Sequence, residues 1–147
     1  MKKILKNQYL LFLLRFILGF VFIYSGFIKI IDAQGFSNSI SNYKLLPEFI
    51  INFFAIILPW IELTSGLLLL IGISVKENAL IINLLLSVFL IAIIISLIRG
   101  LDINCGCFGT KGGTKIGTAK LIENSLLLLM GILLMIYDSK ILVLHSN

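Results

Sequence analysis

The two cysteines of the chain, Cys105 and Cys107, are the residues whose type and spacing most clearly indicate chemistry. They are separated by Gly106 in a glycine-rich polar segment that follows a long apolar run. Cα atoms two residues apart lie near the range that a disulfide tolerates, and such a small ring is strained. A strained disulfide is easier to reduce than a relaxed one. The pair therefore favours a dithiol that exchanges electrons over an inert cross-link.

The cysteine pair also admits interpretations other than redox exchange. A tetrahedral zinc site takes about four ligands, whereas the sequence holds one histidine, His145, close to its C-terminal end. We therefore predict no metal site. A bridge across two residues constrains almost no unfolded-chain entropy, so structural stapling explains the pair poorly. Structural or idle thiols stay open as the alternative.

The composition of the 147-residue chain is that of a membrane protein. Hydrophobic residues make up 59% and charged residues 13%, and a soluble domain of this size would aggregate with that balance. The formal net charge is +5. Its basic residues lie at the ends of apolar runs, without the interleaved exposed aromatics that nucleic-acid binding requires. We predict that the chain contacts a lipid bilayer and binds no nucleic acid.

Four apolar runs are long enough to cross a bilayer, which takes about 20 helical residues. They cover residues 9–31, 50–73, 80–98 and 119–137. The first follows a basic tail, as in a signal peptide, but it is too long for that and lacks a small-residue cleavage site. No charged or low-complexity linker divides the chain. The sequence predicts an all-α polytopic membrane protein, a single four-transmembrane-helix bundle over residues 1–147.

The connections between the predicted spans are unequal. Residues 33–49 are predicted to form a polar loop, residues 74–78 a tight turn, and residues 101–118 a glycine-rich segment with the cysteines. With four spans, the first and third connections emerge on the same face. Lysine and arginine are almost evenly divided between the two faces, so the basic N-terminal tail decides the orientation. We predict an inner (cytoplasmic) membrane protein with cytoplasmic termini and an exterior or periplasmic cysteine segment, where disulfides persist.

Ionisable residues at the ends of the spans form a second set of candidates, because charge in lipid is costly and usually functional. Lys29 and Asp32 end the first span with i, i+3 spacing, which predicts an ion pair. Arg99 and Asp102 repeat this spacing at the end of the third span. Interfacial snorkelling explains the same residues equally well, and both interpretations stay open.

Glu62 differs from these residues because it lies well inside the second span, after Pro59 and Trp60. Proline removes a backbone donor and loosens the helix at this point. A bare carboxylate facing lipid is unfavourable. We therefore predict that Glu62 is either protonated or paired within the bundle, with Arg15 as the partner nearest in estimated depth.

Motifs spread over most of the chain form a combination that is more specific than any of its parts. They are Phe22-x-x-Ser25-Gly26-x-x-Lys29-x-x-Asp32, Phe36, Tyr43-x-Leu45-Leu46-Pro47, Leu58-Pro59-Trp60-x-Glu62-Leu63-x-x-Gly66 and Cys105-Gly106-Cys107-Phe108-Gly109. The series resembles the MauE family of methylamine utilisation proteins, which belongs with the wider DoxX-like membrane proteins. The resemblance implies a four-helix membrane bundle, a thioredoxin-like periplasmic partner, and a role in disulfide formation or maturation of secreted proteins.

The resemblance also implies a set of functional residues in this sequence. They are Lys29, Asp32, Tyr43, Glu62, Arg99, Cys105 and Cys107. The chain departs from the family pattern at one point, because Glu123-Asn124 stands where relatives often begin the last span with arginine-asparagine.

These observations predict a membrane thiol–disulfide relay in which Cys105 and Cys107 cycle between dithiol and disulfide against a thioredoxin-fold partner. An intramembrane acceptor such as a quinone would then bind near Glu62, with Trp60 and Tyr24 as further contacts. Two alternatives stay open. The chain could be a non-catalytic membrane anchor or assembly subunit, or a quinone-binding subunit of a DoxX-like oxidoreductase.

Overall fold

The computed structural model describes residues 8–45, 47–100 and 118–137. Its helices are α1 (Gln8–Ile31), α2 (Ala33–Asn42), α3 (Glu48–Ile71), α4 (Val75–Ile98) and α5 (Thr118–Ile136). Four of them, α1, α3, α4 and α5, are long and apolar enough to cross a membrane. The predicted all-α fold with four spans is therefore confirmed.

The observed spans end within two residues of the predicted ones, except at the start of α4. Residues 74–78 were predicted to form a tight turn, but α4 already begins at Val75. The turn is shorter because Gly72 adopts a left-handed conformation, with φ 85°, and ends α3 abruptly. The amide of Asn78 then donates hydrogen bonds to the carbonyl oxygens of Ile73 (2.8 Å) and Ser74 (3.1 Å), which stabilise the first turn of α4.

The polar segment between the first two spans forms the helix α2, so its prediction as a loop was wrong. The carboxylate of Asp32 accepts a hydrogen bond from the backbone N–H of Gly35 (3.0 Å) and caps the N-terminus of the helix. Phe36 and Tyr43, seven residues apart, are both buried. The segment therefore has one inward face, which its polar composition conceals.

The four spans close into a ring. The contact of α1 with α3 and the contact of α4 with α5 are the most extensive, and contacts of α3 with α4 and of α1 with α5 complete the ring. The short helix α2 packs on α3 and α1 at one end of the bundle. It covers the place where α1 stops.

Glycines bring α1 and α3 into backbone contact, because small residues let helices approach closely. A Cβ atom added to Gly26 would come within 2.8 Å of the carbonyl oxygen of Pro59, and one added to Gly19 within 3.0 Å of the carbonyl oxygen of Gly66. These contacts fix how the two helices align. As a result, the last two turns of α1 lie opposite the middle of α3.

Candidate functional site

A buried ion pair joins α1 to α3 inside the bundle. The Nζ atom of Lys29 lies 2.7 Å from Oε1 and 2.9 Å from Oε2 of Glu62. Each side chain is only 1% exposed. The hydroxyl of Ser25, one turn before Lys29, donates a hydrogen bond to Oε2 of Glu62 (3.0 Å). The carboxylate therefore accepts three hydrogen bonds, as a buried charge requires.

Two phenylalanine rings flank the ammonium group of this ion pair. Nζ of Lys29 lies 4.8 Å from the ring centroid of Phe36 on α2 and 4.8 Å from that of Phe89 on α4. Both distances are within the range of a cation–π interaction. Four helices thus meet at one ammonium group: α1 supplies the lysine and the serine, α3 the carboxylate, and α2 and α4 the rings.

Local sequence explains how these groups converge. Ser25 and Lys29 are four residues apart and so lie on one face of α1, on either side of Gly26. Pro59 and Glu62 are three residues apart on the facing side of α3. Because the missing side chain of Gly26 lets the helix backbones touch, the serine hydroxyl and the lysine ammonium both reach the carboxylate.

The predicted pairing of Glu62 with Arg15 is wrong. Arg15 is buried, but its guanidinium carbon lies 5.2 Å from the ring centroid of Phe12. It precedes Lys29 by 14 residues, which places it about 21 Å further along α1 at 1.5 Å per residue. The depth estimate failed because the glycine contacts align the middle of α3 with the last turns of α1.

The predicted ion pair between Lys29 and Asp32 is also wrong, and so is snorkelling of Lys29. The lysine turns into the bundle toward Glu62, while the aspartate caps α2. Arg99 lies exposed at the C-terminal end of α4. Its predicted partner, Asp102, lies outside the described residues.

Tyr43 belongs to a buried cluster next to the ion pair. It packs with Ile93 of α4, and Phe89 contacts both this cluster and Lys29. Burial raises the pKa of the Tyr43 phenol from 10.0 to about 12, because the phenolate would lose its hydration. The structure therefore brings three predicted site residues, Lys29, Glu62 and Tyr43, into one region of the bundle.

Two further predicted site residues lie away from this region. Tyr24 and Trp60, the predicted quinone contacts, are 56% and 54% exposed on the outside of the bundle, whereas Glu62 is inside it. Cys105 and Cys107 lie outside the described residues. Among the residues that the structure describes, no three His, Cys, Asp or Glu side chains are grouped as a metal site would need.

Sequence reasoning missed part of the environment of the ion pair. Ser25 and Phe36 were noted only as members of the family motif, and Phe89 was not noted. The i, i+4 spacing of Ser25 and Lys29 could have indicated the serine. Nothing distinguishes Phe89 from the other ten phenylalanines of the chain before the helices are assembled.

The departure from the family pattern at the start of α5 has a structural counterpart. Glu123 forms an ion pair with Lys120, with 2.7 Å between Nζ and Oε2, at the exposed beginning of the helix. The next residue, Asn124, is buried and donates a hydrogen bond from Nδ2 to the carbonyl oxygen of Leu86 (3.1 Å). The positive charge of Lys120 is therefore partly neutralised by the carboxylate of Glu123, close to the start of α5.

Comparison with known proteins decides the family. The model of the family described as "Methylamine utilisation protein MauE" matches residues 7–137. The chain belongs to the MauE family. No solved structure matches it.

Relatives of this MauE-family chain include three proteins named "Methylamine utilization protein MauE". The protein from Paracoccus versutus is 29% identical over 133 residues, which cover 90% of this chain and 72% of the relative. The protein from Methylorubrum extorquens is 33% identical over 88 residues, or 59% of this chain and 46% of the relative. The protein from Methylophilus methylotrophus is 36% identical over 80 residues, or 54% and 42%. The matched segments thus span less than half the length of the last two relatives.

Proposed function

We propose that this MauE-family chain is a thiol–disulfide relay of the inner (cytoplasmic) membrane. Cys105 and Cys107 would exchange electrons with a thioredoxin-fold partner on the exterior side, with both termini in the cytoplasm. The observation that carries this proposal is the Cys105-Gly106-Cys107 sequence in the connection between two membrane-spanning helices, α4 and α5. A close dithiol at a membrane surface is suited to exchange with a soluble protein.

The exchange has a defined electron and proton balance. A thiolate of the reduced partner attacks the Cys107 sulfur of the chain's disulfide, and Cys105 leaves as a thiolate. The second partner thiol then attacks the mixed disulfide, which releases an oxidised partner and leaves the chain as a dithiol. Two electrons and two protons have been transferred to the chain. We propose a membrane quinone as the oxidant that accepts them and becomes a quinol.

Cys107 is the proposed exchanging residue because of its surroundings in sequence. It is closer than Cys105 to Lys111, Lys115 and the N-terminus of α5. Cations and helix N-termini lower the pKa of a thiol and so favour the reactive thiolate. Cys105 is the leaving thiolate in this direction, and it is the resolving thiol when the exchange runs in reverse and Cys107 attacks the disulfide of an oxidised partner.

The ion pair of Lys29 and Glu62 favours a functional role for the interior of the bundle. Replacing a buried ion pair by apolar side chains of similar size is often neutral or stabilising, so stability alone does not explain the pair. Charges within membrane spans usually serve function. We propose that the pair, with Tyr43 beside it, is a polar centre that supports the relay. Asp32 and Arg99 are proposed as further members at the ends of α1 and α4.

The relatives' name associates them with methylamine utilisation. For this chain we propose the more general role that the cysteine pair supports, the formation of disulfides in secreted proteins. We propose that a partner docked at the cysteine segment also meets α2, because the first and third connections of a four-span chain emerge on the same side.

Trapping of a mixed disulfide tests the relay. In the Cys105→Ser variant Cys107 can still attack the disulfide of an oxidised partner, but the thiol that would resolve the product is missing. We therefore expect an adduct of Cys107 with a thioredoxin-like protein that dithiothreitol releases. Non-reducing electrophoresis and mass spectrometry of the band measure it. The matched Cys107→Ser variant should give no such adduct. The proposal fails if neither single variant forms an adduct and the double variant keeps full activity in cells, because a scaffold would behave in that way.

A further inference from the structure

The short helix α2 closes one side of the buried ion pair. Its single aromatic residue, Phe36, lies 4.8 Å from Nζ of Lys29 and is itself only 1% exposed. On the other sides the ion pair is enclosed by α1, α3 and α4, and the first two of these are in backbone contact through Gly26. Access to the pair is therefore controlled most directly by α2.

Both ends of α2 have the backbone features of a hinge. At its start, Asp32 departs from helical geometry, with φ −118° and ψ 60°. The hydrogen bonds on either side of it continue, from the N–H of Asp32 to the oxygen of Ile28 (3.0 Å) and from the N–H of Phe36 to the oxygen of Asp32 (3.0 Å). At the other end Lys44 has a φ of 50°, which is uncommon for a residue other than glycine. Residues at the ends of elements absorb such backbone rotations in hinge motions.

The two buried serines of α2 form different hydrogen bonds, and one of these bonds attaches the helix to α3. The Oγ of Ser37 donates a hydrogen bond to Oδ1 of Asn52 on α3 (3.0 Å), where Asn52 is exposed. The hydroxyl of Ser39 bonds within α2, to the carbonyl oxygen of Gly35 (2.9 Å). The apolar attachments are Phe36 and, at the end of the helix, Tyr43.

Opening of α2 would hydrate the ion pair. Burying two charges removes them from water and costs desolvation free energy, which their mutual attraction only partly offsets. When Phe36 moves away, the loss of its contacts is offset by water that reaches Lys29 and Glu62. If apolar side chains of the same size stood in place of the ion pair, hydration on opening would not offset the lost contacts of Phe36. The buried charges of Lys29 and Glu62 thus lie directly under the shortest of the described helices.

We propose that α2 is a hinged cover over the Lys29–Glu62 pair, and that its opening admits water, and through it protons, to the pair from the side on which α2 lies. This makes the pair an internal proton-exchange site with a controlled entrance. The proposal concerns described residues alone and does not depend on the chemistry of Cys105 and Cys107.

The accessibility of a cysteine beside the pair tests the cover. In a background with Cys105→Ser and Cys107→Ser, the Ser25→Cys variant places a thiol next to Glu62. Open membrane fragments are treated with 2-sulfonatoethyl methanethiosulfonate, which is water-soluble and does not enter lipid, and the rate of modification is measured. We expect Ser37→Ala to raise this rate about fivefold, since one hydrogen bond contributes about 1 kcal/mol. Phe36→Ala should raise it further.

Ser65→Cys is the matched control. Ser65 is 3% exposed on α3, one turn from Glu62 and next to Gly66, which lies against Gly19 rather than α2. Its rate of modification should not respond to Ser37→Ala. The proposal is overturned if Ser37→Ala leaves the Ser25→Cys rate unchanged, or if it accelerates both cysteines equally, because the whole bundle would then be loosened. Phe89→Cys, on α4, gives the same measurement if Ser25→Cys does not fold.

Discussion

The contact between α1 and α3 and the contact between α4 and α5 each bury polar side chains beside a glycine, but they treat those side chains differently. In the first, Ser25, Lys29 and Glu62 form hydrogen bonds with one another. In the second, the amide of Asn83 lies against Gly131. Among the described residues, neither its Oδ1 nor its Nδ2 has a hydrogen-bond partner.

The difference indicates what each contact is adapted to do. Unpaired amide atoms in a protein interior cost free energy, and a helix pair built for stability alone would avoid them. The ion pair is fully satisfied but gains little over apolar packing. The ion pair and the amide of Asn83 therefore add little or no stability to these contacts. Their presence is better explained by function for the ion pair and by helix recognition for Asn83.

Breaking the ion pair should have the largest effect. Lys29→Met or Glu62→Met leaves one buried charge without its partner, which typically costs about 3–5 kcal/mol of unfolding free energy. The double variant removes both charges and should recover most of that loss. Denaturant unfolding in detergent micelles measures all three.

Lys120→Met is the control for this experiment, because it removes a lysine from an exposed ion pair and should cost less than about 1 kcal/mol. A double variant as unstable as the single ones would contradict the interpretation of the pair. If the double variant folds but no longer supports the relay, the pair is identified as functional.

Replacing each glycine by alanine should have an intermediate effect on stability. The two replacements should also distinguish the α1–α3 contact from the α4–α5 contact. In Gly26→Ala the new Cβ meets the backbone oxygen of Pro59 and the backbone nitrogen of Leu63, at 2.8 and 2.9 Å, so the helices must move apart. We expect a loss of about 1–3 kcal/mol. In Gly131→Ala it meets the side chain of Asn83, which can rotate away.

Gly131→Ala should therefore cost less than Gly26→Ala by at least about 1 kcal/mol. Thermal unfolding of both variants under one set of detergent conditions provides the comparison. Equal losses would mean that Asn83 is held as rigidly as a backbone, and the proposed contrast between the two contacts would be lost.

The smallest effect is expected from replacing the asparagine amides. Asn83→Leu removes two amide atoms that have no hydrogen-bond partner among the described residues, so stability should be unchanged or rise slightly. Asn124→Leu removes the hydrogen bond to the carbonyl oxygen of Leu86 and should cost about 1 kcal/mol. Chemical denaturation measures the unfolding free energy, which should stay the same or rise in Asn83→Leu and fall in Asn124→Leu. A marked loss on Asn83→Leu would show that the amide binds a group that matters for folding.

The sequence predicted the spans well and the pairing inside them poorly, for physical reasons. A run of about 20 apolar residues indicates a membrane span because the bilayer thickness alone sets that length. The partner of Glu62 depends instead on how two helices align, which the contact of Gly26 with Pro59 determines in three dimensions. Arg15 was therefore chosen wrongly, and Lys29 was assigned to Asp32.

The helix α2 was missed for a related reason. Three serines and one glycine among its ten residues give α2 a weak helical signal in the sequence. The helix depends on its cap at Asp32 and on the burial of Phe36 and Tyr43. The burial is visible only after the helix has docked, whereas Asp32 is a residue type that commonly caps helices. Phe89 illustrates the same limit, because its contact with Lys29 joins residues on helices that are not adjacent in sequence.

The distance in sequence between Lys29 and Glu62 also has a consequence for biosynthesis. The two residues are 33 positions apart, so at about 5–20 residues per second the ribosome adds Glu62 about 2–7 s after Lys29. During that interval α1 carries a lysine without its carboxylate, and lipid is a poor environment for it. Because Lys29 lies two residues before the end of α1, its ammonium group can stay at a hydrated site, the edge of the membrane, until α3 emerges. The order of synthesis thus makes α1 and α3 the first pair that can leave that site together.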